Sequence, residues 1–259
     1  MTRTHESAVQ AQFGEQAQAY VASSIHANGA DLDVLAAVAA QARPDRALDL
    51  GTGGGHAAYR LAEHARRVTA VDLSPEMLAV VAVEAEKRGL PNIETCTARA
   101  ECLPFEDGTF DMLACRFSAH HWGDWESGLR EARRVLKPGG IAMFFDVVSS
   151  EYASCDTHLQ AIELLRDPSH VRNRNESEWT SAMANAGFRL RKTEKRRITM
   201  DYISWVDRMR TPEAHRIAIR SLQKSAAAQI QTYFAIQADG SFSVDALQIE
   251  ASACCAHGL

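Results

Sequence analysis

Short apolar runs and helically spaced apolar residues alternate along most of the chain. Ala47 to Leu50 is an apolar run interrupted by Asp49, and it breaks into Gly51-Thr52-Gly53-Gly54-Gly55. Ala58, Leu61 and Ala65 follow at helical spacing, and a second apolar run, Val68 to Val71, stops at Asp72. The pattern predicts strand, glycine turn, helix and strand, the first βαβ unit of a doubly wound sheet. Ser74-Pro75-Glu76 is a helix start with proline at the first helical position, and Gly89 stops that helix. Ile93 to Thr97 and Phe110 to Arg116 read as the third and fourth strands, and Glu126 to Leu136 as an amphipathic helix. After the turn Lys137-Pro138-Gly139-Gly140, Ile141 to Val147 reads as the last strand of the parallel set.

The flanks carry more helix. Phe13, Ala17 and Tyr20 share one helical face. Asp31 is placed to cap a helix that turns Leu32, Leu35 and Val38 inward and ends at Pro44. Residues 149 to 187 read as helical, stopped by Ala186-Gly187-Phe188, with a sixth strand near 188 to 198. A long helical insertion is predicted over 202 to 235. Its main helix starts at Thr211-Pro212-Glu213 and places Ile219, Leu222, Ala226, Ile230 and Tyr233 at spacings of three and four. Phe242 to Glu250 reads as a closing strand, and 251 to 259 as a loose tail.

The glycine turn narrows the chemistry. Glycines let a ligand approach the main chain where a Cβ would clash, and free N–H groups at the next helix start face the same spot. Asp72 stands about 20 residues beyond the first glycine, at a strand's carboxyl end, where a carboxylate can accept from ribose hydroxyls. The unit reads as a site for an adenosine-containing cofactor. A dinucleotide fingerprint needs a glycine where His56 stands, so that match fails. Asp49, just ahead of the turn, repels a pyrophosphate but suits a cofactor carrying an ammonium and a sulfonium. An ordinary glycine-rich turn is the alternative that the motif alone leaves open.

Composition removes other classes. In 259 residues, 46% are hydrophobic and 24% charged, ordinary values for a globular chain with a substantial core. A net charge of −5 argues against a broad nucleic-acid or anionic-membrane footprint. The basic run Arg189 to Arg197 is the local exception and reads as a charged strand edge. Six cysteines include no C-x-x-C pair, and three fall in or beside predicted core strands, which suits small buried hydrophobes in a reducing compartment. The polar start MTRTHESAVQ lacks an apolar leader, and no run reaches membrane-spanning length, so the cytoplasm is the expected compartment.

The stretch D-L-G-T-G-G-G from Asp49 resembles the first motif of class I S-adenosylmethionine-dependent methyltransferases. F-G-E-Q-A-Q-A-Y, A-E-C-L-P-F from Ala100, F-D at Phe110, S-A-H-H-W-G-D from Ser118 and L-K-P-G-G are similar to segments of the ubiquinone/menaquinone-biosynthesis (type 11) methyltransferases. The resemblance covers about residues 8 to 250. It implies an α/β, Rossmann-like doubly wound seven-stranded sheet, mostly parallel with an antiparallel last strand. A single domain spans 1–259: an N-terminal helical lid (1–43), a cofactor-binding core (44–148), a C-terminal half with helical insertions (149–250) and the tail (251–259). It also implies S-adenosylmethionine held by Asp49, Gly51, Thr52, Gly53 and Gly55 of the turn and by Asp72 and Leu73 at the second strand's end. Met77, Ala100 and Glu101 fall at the adenine, and Phe117 and Ala119 at the fourth-strand loop. Relatives carry an acid where this chain has Arg99.

The implied reaction is direct displacement at the cofactor's methyl by a small organic acceptor, for which alignment and water exclusion matter most. Where the nucleophile must lose a proton, His120, His121 and His26 are candidate bases, with Tyr20 as a hydrogen-bond partner. Phe13, Tyr20 and Trp122 are candidate liners of the acceptor pocket. No metal is expected: adjacent histidines should diverge, and transfer from a sulfonium needs none. A non-catalytic cofactor-binding or regulatory protein and an NAD(P)-dependent reductase are the alternatives. Partners expected are a small acceptor, no nucleic acid and no membrane insertion, with a homodimer left open.

Overall fold

The computed structural model describes residues 4–6, 10 and 29–254. A seven-stranded sheet runs through it in the order β3-β2-β1-β4-β5-β7-β6. The strands are β1 (Arg46–Leu50), β2 (Arg67–Asp72), β3 (Ile93–Thr97), β4 (Phe110–Arg116), β5 (Leu136–Val148), β6 (Phe188–Met200) and β7 (Phe242–Ala253). β1 to β5 pair in parallel, and β7 is antiparallel to both neighbours. The chain turns away from β1 in both directions, so the carboxyl ends of β1 and β4 flank a switch point, where open sheets bind ligands.

Nine described helices cover the sheet: α1 (Ala30–Ala42), α2 (His56–Ala62), α3 (Pro75–Lys87), α4 (Trp125–Val135), α5 (Ala153–Arg166), α6 (Glu176–Asn185), α7 (Tyr202–Arg208), α8 (Glu213–Ser225) and α9 (Ala228–Phe234). Strand residues on one face pack with α1 to α3, through Leu35, Ala58 and Val81 against Ala70, Met112 and Met143. The other face packs with α4 and α6, through Leu129 and Trp179 against Leu113 and Phe144. α5 and α7 to α9 close a third cluster over Val147 and Val244.

Side-chain caps start four of these helices, and the α3 start is where the sequence indicates. The Ser74 hydroxyl accepts from Met77 N at 3.2 Å ahead of Pro75, and Asn175 with Glu178 forms a capping box on α6. Several expectations are corrected. Asp31 does not cap α1: Gly29 stands there without a side-chain bond, and Asp31 instead pairs with Arg116. Lys137 to Gly140 is not a turn ahead of β5 but its irregular first segment, skipped over between the Phe110 and Met112 pairings. The predicted main insertion helix breaks after Ser225 into α8 and α9, within an alanine run that holds no sequence breaker. The tail begins later than expected, because Ala251 to Ala253 are buried in β7 between β5 and β6. Cys115 is buried, whereas Cys102 is exposed. β6 is the charged sheet edge, as the basic run indicates. No helix among the described residues is long and apolar enough to cross a membrane.

Candidate functional site

A cavity of about 740 Å³ opens over the carboxyl ends of β1, β2 and β4 and extends across β5, β7 and β6. Asp49, at its floor, is fully buried. Its Oδ2 accepts from the Thr52 hydroxyl at 2.7 Å and from Ala58 N at 2.9 Å, which ties β1 to the first turn of α2. Its Oδ1 is buried with no hydrogen-bond partner among the described residues. Burial pushes this carboxyl up to about 6, against the lowering effect of its two hydrogen bonds and of Arg116. An unpaired buried carboxylate oxygen at a cavity wall is costly unless a cation or donor meets it.

The glycine turn closes on Asp72. Gly53 N–H donates to Asp72 Oδ2 at 2.9 Å and Ser74 N–H to Oδ1 at 3.0 Å, and burial raises the Asp72 pKa above the usual carboxylate range. Gly51 and Gly53 both have positive φ, +73° and +49°. A Cβ at Gly51 would collide with Ser118, but one at Gly53 would meet nothing within 4 Å among the described residues. Gly53 therefore faces open space at the cavity wall. Phe117, a non-glycine residue at φ +50°, ends β4 in a strained conformation of the kind found at ligand sites.

Thr52, Leu73, Met77, Ala100, Glu101 and Phe117 line the same cavity as Asp49 and Asp72. Two predicted site residues do not. Gly55 is the left-handed N-cap of α2, turned toward the Tyr59 ring, and Ala119 is buried in the α4-side core. Tyr20, Phe13 and His26 lie outside the described residues. Arg99, standing at the expected acid position, pairs with Glu6 at 2.6 Å. His5 Nε2 lies 2.8 Å from the His121 carbonyl, and the Gln10 amide donates to the Leu73 carbonyl at 3.1 Å. The described N-terminal residues thus contact the cavity rim on two sides.

His120 and His121 do not diverge. The short 3-10 turn Ala119–His121 brings their ring centroids to 4.2 Å, and both line the cavity. Their surroundings separate them chemically. His120 Nδ1 is 2.6 Å from Asp146 Oδ1, and His120 N–H donates to Asp146 Oδ2 at 3.2 Å. Burial disfavours the imidazolium, but Asp146, with Glu163 and Asp167 behind it, outweighs burial and raises the His120 pKa above its ordinary value. His121 donates from Nδ1 toward the Ser169 carbonyl at 3.1 Å. Burial and the neighbouring His120 push it down to about 4.

Asp146 is a site residue that the sequence reading passed over. The available signal was a lone carboxylate near the carboxyl end of an otherwise apolar strand, Ile141 to Val148. A loop between α5 and α6 interrupts the stretch 149 to 187 that the sequence predicts as helical. It carries Ser169 to His121 and sends the Val171 N–H to the His120 carbonyl at 2.9 Å.

The carboxylates of Asp49 and Asp72 fit a cofactor with a cationic amino-acid end and a ribose. Comparison with known proteins points the same way. A family model described as methyltransferase domain matches residues 48–144. YafE of Escherichia coli K12, an uncharacterised protein, is 44% identical over 78% of this chain and 97% of its own length. The uncharacterised methyltransferase YcgJ of Bacillus subtilis is 33% identical over 77% of this chain and 79% of its own. The YcgJ crystal structure superposes with a TM-score of 0.84, covering 87% of this chain and 99% of that one at 29% identity. A demethylmenaquinone methyltransferase of Thermus thermophilus is 42% identical over 40% of this chain and 47% of its own. From its motifs, its sheet order and these relatives, the chain belongs to the class I methyltransferase family.

Proposed function

We propose that the chain transfers a methyl group from S-adenosylmethionine to a small organic acceptor, with His120 as general base. The observation that carries the reading is Asp49 Oδ1, a buried carboxylate oxygen with no partner among the described residues, at the wall of a ligand-sized cavity. Asp49 and Gly51 would hold the cofactor's amino-acid end, and Asp72 its ribose hydroxyls. Leu73, Met77, Ala100 and Glu101 would hold the adenine. When bound, the cofactor supplies an electrophilic methyl on a cationic sulfur, so the protein's task is alignment and exclusion of water.

The acceptor's proton goes to His120. Asp146 accepts a hydrogen bond from Nδ1–H, which leaves Nε2 as the basic nitrogen, and it stabilises the imidazolium that forms. His121, depressed to about 4, is too weak a base at neutral pH to share that role. A cavity of about 740 Å³, within the roughly 300–1,000 Å³ of small-molecule sites, suits a small acceptor rather than a polymer.

The test is calorimetry with S-adenosylhomocysteine on the parent and on Asp72→Ala, together with transfer of labelled methyl into a metabolite extract. The parent binds, and the variant loses about 10- to 100-fold in affinity, because ribose hydroxyls are left unpaired. No binding by the parent, or equal binding by a folded variant, contradicts the assignment.

A further inference from the structure

Beyond the histidines the cavity continues over the face of β5, β7 and β6. Val147, Ile198, Met200, Trp205 and Met209 make this lobe apolar. Two polar side chains stand in it together. Arg196 donates from Nη2 to Gln248 Oε1 at 3.0 Å and from Nε to Glu194 at 3.2 Å. Among the described residues these contacts use two of the five N–H donors an arginine carries. Arginine has no acceptor, so the Gln248 atom facing it is the oxygen, and Gln248 presents its Nε2 hydrogens as further donors. Gln248 is buried at the cavity wall, and Glu194 is not part of that wall.

A third donor lies at the other end of the lobe. Asn173 is 1% exposed, lines the cavity, and has an Nδ2 with no hydrogen-bond partner among the described residues. Its main chain is clamped by Gln160, whose Oε1 accepts from Asn173 N at 3.1 Å and whose Nε2 donates to Asn173 O at 2.8 Å. Val171, two residues before it, holds the His120 carbonyl at 2.9 Å. The lobe's carboxylates are already engaged: Glu163 by Arg166 at 3.1 Å and Asp167 Oδ1 by Ser169 at 2.6 and 2.8 Å. The cavity wall thus carries Asp49, Asp72 and Glu101, together with Arg99 and Arg116, toward β1 and β2, and Arg196, Gln248 and Asn173 beyond the histidines.

We propose, resting on the methyltransferase reading, that the acceptor is a carboxylate on an apolar body, anchored by Arg196 and the Gln248 amide, with the Asn173 amide on an oxygen at the reacting end beside His120. A carboxylate can take two parallel N–H bonds from a guanidinium, which gives both charge pairing and orientation in an apolar lobe. The span is suitable. β6 lies three strand spacings, about 14 Å, from β4, whose carboxyl end carries the His120 turn, and the arginine side chain crosses part of that distance, which leaves room for a substituted ring or short acyl chain.

The probes are benzoate and its neutral isostere benzamide, titrated into the full-length protein saturated with S-adenosylhomocysteine, for the parent, Arg196→Met and Arg196→Lys. Benzoate binds about tenfold or more tighter than benzamide. Arg196→Met removes that preference, and Arg196→Lys keeps part of it. S-adenosylhomocysteine affinity is unchanged in both variants and serves as the folding check. If S-adenosylhomocysteine binds but benzoate does not saturate, shows no preference, or keeps it in Arg196→Met, the carboxylate site is wrong and the cofactor reading stands. If S-adenosylhomocysteine does not bind while the Arg196-dependent preference for benzoate persists, the anion site stands and the methyltransferase reading fails, taking the acceptor role with it.

Discussion

His120 Nδ1 lies 2.6 Å from Asp146 Oδ1, although the two residues come from different elements at the carboxyl edge of the sheet. Asp146 is itself fixed by Val147 N–H, which donates to Oδ1 at 2.8 Å. The pair separates two adjacent histidines of the same type into a strong base and a weak one.

Asp146→Asn should lower the His120 pKa, since the carboxylate that outweighs burial is gone. The remaining neighbours, Glu163, Asp167, His121 and His170, cannot replace a contact at 2.6 Å. A base must be neutral to act, so the acid limb of the rate profile moves to lower pH while the plateau falls about 10²-fold. Imidazole NMR titration checks the first half directly. His121→Gln serves as the contrast, with a much smaller loss of turnover.

Asp49→Asn should make the unliganded protein more stable while weakening cofactor binding. With its pKa raised to about 6, Asp49 holds a proton in the folded state that the unfolded chain has already released. Stability therefore falls as pH rises from about 4 to about 6 and is level above. The variant loses that fall and gains on the order of 1–3 kcal/mol at pH 7. In the parent, affinity for S-adenosylhomocysteine declines as pH drops below about 6, because a cationic end meets a protonated carboxyl. Thermal unfolding and calorimetry across this range read both effects, and parallel pH curves for parent and variant would count against them.

Gly53→Ala and Gly51→Ala should part company. At Gly53 the added methyl meets no atom of the described residues, so the expected cost in folding is that of the left-handed backbone, about 1–2 kcal/mol, while S-adenosylhomocysteine binding is lost. At Gly51 the methyl collides with Ser118 as well, and stability falls further. Denaturant unfolding of both variants, set beside ligand titration, distinguishes a ligand cradle from a purely structural turn.

Arg99→Asp, which puts an acid at the position where the family resemblance leads one to expect it, should release Glu6. The pair is partly exposed, so the loss of stability is small, about 0–1 kcal/mol. Amide exchange at residues 4–6 should nonetheless quicken in the unliganded protein. Unchanged exchange there would remove Arg99 as the anchor of the N-terminal segment.

Much of this protein is legible in one dimension because its signals are local. The βαβ unit, the Ser74-Pro75 helix start and the glycine turn each depend on residues a few positions apart, and Asp49, Gly53 and Asp72 inherit their places at the strand ends from them. The split of the insertion at Ala226 was not legible, since three alanines carry no breaker and tertiary packing decides the bend. Nor was the choice of base. His120 and His121 are chemically identical in the sequence, and spacing alone predicts that they diverge. Asp146 is 26 positions from His120 and Ser169 is 48 from His121, so the charge that raises one histidine and the burial that depresses the other exist only once the strand and the loop after α5 are folded against the 3-10 turn. Arg196, Gln248 and Asn173 show the same division. Their side-chain chemistry is written in the chain, but long-range strand pairing and loop packing alone bring their donors into one cavity.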